Sequence, residues 1–133
     1  YYSHGTQITA AHGHLAFFGA YACLNLAIMT YAMPILRGRD PYNQVLNMAS
    51  FWLMSSGMVF MTFTLTFAGT VQTHLQRVMG MNFMEVQDQL WIFFAMRFGA
   101  GVVVVLGVLL YIYAILLPRR EIIAPGPVAE AAE

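Results

Sequence analysis

Two histidines separated by one glycine, His12-Gly13-His14, lie in the apolar stretch of residues 11–19. Imidazole is both a metal ligand and a proton carrier, and in a lipid-like setting it is costly unless something there needs it. Spacing narrows the partner. On a strand, residues i and i+2 share a face and can grip one ion, but on a helix at about 100° per residue they diverge by about 200°. In a helix the pair therefore does not chelate a single metal, and each ring serves a separate partner. Two flat iron macrocycles flanking one helix fit this geometry, because haem iron takes a neutral imidazole as axial ligand. Gly13 and Gly19 leave room for a macrocycle by adding almost no side-chain bulk. The competing reading has one histidine hydrogen-bonded to a neighbouring helix and the other facing a water-filled crevice.

The elements that must hold the pair follow from composition. In 133 residues, 59% are apolar and 9% charged, against about 45–50% and about 25% in soluble domains. So few charges cannot cover a water-exposed surface, and lipid is the expected solvent. Six arginines balance six acids, which removes nucleic acid as an expected partner. The single Cys23 excludes an internal disulfide and a C-x-x-C-H attachment, so any haem is held non-covalently. A hydrocarbon core of about 30 Å needs about 20 apolar residues per helix. Three such windows are present, at about residues 6–33, 43–72 and 88–117, giving an all-α transmembrane bundle of three spans. Pro34 is expected to stop the first. The second is entered through Asp40-Pro41, and the third has a polar lead-in from Glu85 and ends at Pro118. Residues 118–133, with Ala124-Pro125-Gly126-Pro127, read as a cytoplasmic disordered tail. The start Tyr1-Tyr2-Ser3 reads as a piece of a longer chain.

Arg37, Arg39, Arg119 and Arg120 fall on one side of the bilayer and Arg77 on the other. The positive-inside rule then makes the first loop and C-terminus cytoplasmic, and turns His4 and His74 outward. His74 reads as a solvated loop residue. Small residues Gly13, Ala16, Ala20 and Ala27 on the first span, and Ala95, Gly99 and Gly107 on the third, are expected to be packing surfaces. On the second span, Met54, Met58 and Met61 with Phe60, Phe63 and Phe67 read as packing against helices or lipid. The stripe Ser55, Thr62, Thr66 and Thr73 reads as backbone-bonded hydroxyls rather than a proton path. Arg97, inside the third span, needs a partner: an anionic cofactor group, a carboxylate from another helix, or the interface reached by snorkelling.

The stretch of residues 9–21, Thr-Ala-Ala-His-Gly-His-Leu-Ala-Phe-Phe-Gly-Ala-Tyr, resembles the tenth transmembrane helix of the large subunit of bacterial nitric oxide reductases, in the haem-copper oxidase superfamily. The likeness runs through the chain as the last three of that subunit's twelve helices. It implies that His12 is the proximal ligand of high-spin haem b3 and His14 one of two axial ligands of low-spin haem b. The non-haem iron, its three histidines and glutamate, the second haem b histidine and a calcium site would belong to the rest of the subunit. Oxygen-reducing members carry His-Asp-Thr eight positions upstream of the first ligand and a phenylalanine between the pair. Here His4-Gly5-Thr6 lacks the carboxylate, which argues against a magnesium site, and Gly13 replaces the phenylalanine. The resemblance offers Arg77 and Arg97 as contacts for haem propionates, and His4 either as a third such contact or as an interfacial histidine touching water.

The reaction the resemblance implies is 2 NO + 2 e⁻ + 2 H⁺ giving N2O and water, in a bacterial cytoplasmic membrane, with a membrane-anchored cytochrome c subunit as electron donor. This chain alone would be inactive. Two alternatives stay open: an oxygen-reducing haem-copper oxidase, and a di-haem cytochrome b anchor that only relays electrons and whose reduced haems would not bind CO.

Overall fold

A computed structural model of the chain describes residues 3–37 and 43–116. The first long helix comprises α1 (Gln7–Ala16), a π-helical turn (Phe17–Ala22) and α2 (Cys23–Arg37). The second comprises α3 (Gln44–Thr73) and a π-helical turn (His74–Val78). After Gly80, whose φ of 70° suits a residue without a Cβ, come the short α4 (Phe83–Gln89) and α5 (Trp91–Leu116). The stretches of 31, 35 and 26 residues are each long and apolar enough to cross a membrane. Arg39, Asp40, Pro41, Pro118, Arg119, Arg120 and the tail lie outside the described residues.

Local chemistry sets the helix ends. The Asn43 side chain accepts the N–H groups of Val45 at 3.0 Å and Leu46 at 3.4 Å, two of the donors that open α3. Glu85 accepts the Asn82 N–H at 3.4 Å at the start of α4. Pro34 does not stop the first helix, which continues to Arg37. It lies in the last turn, so only one ladder bond is lost close to where the ladder ends. The Arg37 guanidinium donates to the Ile115 carbonyl at 3.3 Å, tying the end of α2 to the end of α5. The second helix runs six residues past the sequence expectation, because the apolar pattern fades at Gln72 while backbone pairing continues through the π turn.

α3 is the middle element, packed along α5 and against α1. Met54, Met58 and Met61 are buried, whereas Phe60, Phe63 and Phe67 are exposed, so the apolar face divides by residue type. Met58, Met61 and Leu65 pack with Ala11 of α1 and Ala100 of α5. Close approach depends on glycine at three contacts. Gly57 of α3 sets its backbone against Val103, Val104 and the Ala100 carbonyl of α5. A Cβ on Gly107 would lie 2.5 Å from Met54 Cγ and 2.9 Å from Met54 N, and one on Gly69 would collide with the backbone N and Cγ1 of Ile8. Of the small residues expected to pack, Gly107 does so, and Gly13 and Gly99 face open space among the described residues. Ala16, Ala20, Ala27 and Ala95 are exposed on this three-helix unit. A small residue permits close approach but does not mark the side from which it comes.

The three threonines of the hydroxyl stripe bond their own helix backbone as expected. Thr62 donates to Met58 O, Thr66 to Thr62 O and Thr73 to Gly69 O, at 2.7–2.9 Å. Farther down, Tyr111 is 5% exposed and donates to the Leu26 carbonyl at 3.0 Å, with Thr30 Oγ1 2.8 Å from its hydroxyl. This joins α2 to α5 beside a cavity of about 340 Å3 that Cys23, Asn47 and Ser50 also line.

Candidate functional site

The rotation of α1 fixes where its imidazoles point. Ala11, 2% exposed, faces Met58, Met61 and Leu65 and so marks the inward direction. At about 100° per residue, His12 stands about 100° to one side of that direction and His14 about 60° to the other. His12 is accordingly exposed and His14 half-buried. Ala10 and Phe18, four residues either side of His14, pack against the same core cluster, so His14 lies along the seam between α1 and its neighbours. The helical context expected for the pair is present, and the rings diverge.

His14 Nδ1 is 2.7 Å from the Ala10 carbonyl oxygen. A carbonyl only accepts, so Nδ1 carries the hydrogen and the Nε2 of the neutral ring keeps its lone pair. A ligating histidine needs this tautomer when it binds iron through Nε2. No Cβ contact within 4 Å would arise at Gly13, between the two histidines, or at Gly19 farther along the helix, so the helix surface is open at those two positions. These features fit a flat macrocycle on each side of α1. Among the described residues, no three of His, Cys, Asp and Glu gather into a metal-holding group.

The π turn Phe17–Ala22 begins three residues after His14, with Phe17 and Tyr21 ring centroids 5.6 Å apart. Single π turns inside α-helices occur frequently at functional sites. Sequence reasoning gave no sign of this one, since Phe-Phe-Gly-Ala-Tyr-Ala has the composition of any membrane helix.

α1 and α5 run in the same direction, both beginning at the end of the bundle that holds Arg77, the end read as outward. His12 and His14 are five and seven residues beyond Gln7, and Arg97 is six beyond Trp91, so all three lie about 8–10 Å along their helices. Arg97 is half-buried in a cleft of about 580 Å3 with Met61, Phe94 and Phe98, and Met61 is also in the cluster that covers Ala11. The fold thus brings Arg97 to the level of the histidine pair. His4 is exposed in the turn before α1, where Gly5 has a φ of 74°. Arg77 is exposed in the second π turn, beside His74 in sequence. Both lie at the outward-read end, apart from the level of the pair.

One residue absent from the sequence expectations belongs with the site. Gln72, 1% exposed, accepts the backbone N–H of Gln7 at 2.9 Å and so joins the end of α3 to the start of the histidine helix. Its signal was a lone amide at the fading end of an apolar span, which sequence alone does not separate from an interfacial residue.

Residues 1–118 match the family model of cytochrome c and quinol oxidase polypeptide I. The chain is similar to a nitric oxide reductase subunit of Stutzerimonas stutzeri, 48% identical over 122 residues. That alignment takes in 86% of this chain and 26% of the relative, so the chain spans about a quarter of the length of the curated protein it matches. Diverging imidazoles on a membrane-length helix, together with these matches, make the chain an integral membrane member of the cytochrome c and quinol oxidase polypeptide I family in the haem-copper oxidase superfamily, with haem as the cofactor that this membership indicates.

Proposed function

We propose that the complete subunit to which this chain belongs is a respiratory nitric oxide reductase, coupling two NO to N2O and water with two electrons and two protons. The observation that supports this reading best is the diverging pair: His14 is held with Nε2 free by its bond to Ala10, and His12 is exposed on the other flank of one rigid helix. His14 would hold low-spin haem b and His12 high-spin haem b3, with the non-haem iron carried by the rest of the subunit. Bound there, the two haems would supply electron transfer and the reduction of substrate.

The residues of this chain contribute position. Both ligands come from a single turn of α1, two residues apart, so the spacing of their irons would be set by helix geometry. Ala11 is wedged under Met58, Met61 and Leu65, which resists rotation of either ring. The exposed apolar surface of α1, α2 and α5 is to be covered by the subunit's other helices and by lipid. Arg97, at the depth of the pair, supplies a cation for a haem propionate; His4 and Arg77 do so from the outward end. We assign the protein to a bacterial cytoplasmic membrane, with its N-terminus periplasmic and C-terminus cytoplasmic, and a membrane-anchored cytochrome c subunit as electron donor.

The test is product analysis with isotopically labelled NO on membranes carrying the complete subunit and an electron donor. One labelled N2O per two NO consumed is expected. Consumption of O2 to water with no N2O formed overturns the assignment in favour of the oxygen-reducing branch.

A further inference from the structure

We propose that Gln72 is a positioning residue for both imidazoles, acting through the first turn of α1; this role rests on the reading of His12 and His14 as ligands of two haems. An α-helix opens with four N–H groups that have no intrahelical acceptor. Thr6, at the N-cap position, makes no side-chain cap bond; its hydroxyl is turned to the Ser3 carbonyl, to which it donates at 2.7 Å. The acceptor comes instead from another helix, where Gln72 Oε1 takes the Gln7 N–H at 2.9 Å across 65 residues of sequence. With 1% exposure, this amide would be expensive if left unsatisfied.

Gly69, three residues earlier on the same face of α3, lets the backbone of Ile8 rest directly on that helix. Residues 7 and 8 are therefore fixed to α3 by a hydrogen bond and a backbone contact, which sets the height and rotation of α1 at its start. His12 and His14 follow four and six residues after Ile8, about 6 and 9 Å along the same helix. Because the rings diverge by about 200°, a rotation of α1 swings them in opposite lateral directions. Loss of the Gln72 bond should therefore disturb both haems together, a signature that a local packing defect on one flank would not give.

The experiment uses the complete subunit with Gln72→Leu, which removes the acceptor at similar side-chain size, and Gln72→Glu, which keeps an oxygen at the same reach. Gln72→Leu is expected to retain both haems, lower kcat about tenfold with little change in KM, and shift the reduction potentials and EPR signals of both haems. Gln72→Glu is expected to restore them. If Gln72→Leu fails to assemble, Gln72→Asn, whose amide ends one methylene short, should give the same paired shift. The role is overturned if the variant that assembles leaves both haem signals as in the wild type, shifts only one, or is not corrected by Gln72→Glu. His12→Ala and His14→Ala in parallel separate the two claims. If each removes its own haem signal while Gln72→Leu changes nothing, only the positioning role falls; if neither removes a signal, the ligand reading falls and the positioning role with it.

Discussion

His14 donates its Nδ1 hydrogen to the carbonyl of Ala10, one helical turn earlier, across 2.7 Å. The bond lies within one helix and needs no other element to form. It selects the tautomer and holds the ring plane, which leaves Nε2 as the free nitrogen that the proposed iron ligation requires. The partner that orients the ring is a main-chain oxygen, so side-chain substitution at residue 10 does not delete the acceptor.

Removing the positive charge of Arg97 tests its placement. A cation beside a haem stabilises the reduced form, which carries one more electron, so Arg97→Gln in the complete subunit should lower a haem midpoint potential. At an effective dielectric near 20 and about 10 Å, the effect is roughly 1.7 kcal/mol, about 70 mV for one electron. Redox titration with unchanged potentials for both haems would remove Arg97 from the propionate set. Arg77→Gln should act in the same direction and less strongly, because Arg77 is exposed.

Close packing of α5 on α3 predicts unequal costs for two glycines. Gly107→Ala places a Cβ 2.5 Å from Met54 Cγ and 2.9 Å from the Met54 backbone N, whereas at Gly57 the nearest atom is Val104 Cγ2 at 2.9 Å and the nearest backbone atom is the Ala100 oxygen at 3.2 Å. Gly107→Ala should therefore lower stability by about 1–3 kcal/mol, and Gly57→Ala by less. Thermal unfolding in detergent gives the order, and equal or reversed losses would contradict this packing.

Tyr111→Phe keeps the ring and deletes the hydroxyl that joins α5 to Leu26 and Thr30. Its expected cost is about 0.5–1.5 kcal/mol, measured by chemical denaturation. Combined with Thr30→Val, the loss should be less than additive, because the two hydroxyls lie 2.8 Å apart. Full additivity would mean they do not interact.

Divergence of His12 and His14 was legible in the sequence, because it follows from two positions and the helical repeat. The three spans were legible for the same reason, being set by length and composition. The packing sides were not. Gly69 meets Ile8 while Gly13 and Gly99 meet nothing within 4 Å, and no feature of their sequence neighbourhoods tells them apart, since an all-apolar helix lacks the polar stripe that marks an outer face. Gln72 was missed because its partner is a backbone N–H 65 residues away. Arg37 was read only as a charge marking the cytoplasmic side, yet its guanidinium also caps α5 at Ile115. The two π turns have no local signature in residue type.

The most direct test of the ligand reading is the haem spectrum of the complete subunit carrying His14→Ala, recorded reduced and then with CO. Loss of the low-spin bis-imidazole signal, with the CO-binding high-spin haem retained, is the expected result. An unchanged low-spin signal at full haem content would contradict the assignment of His14 to that iron.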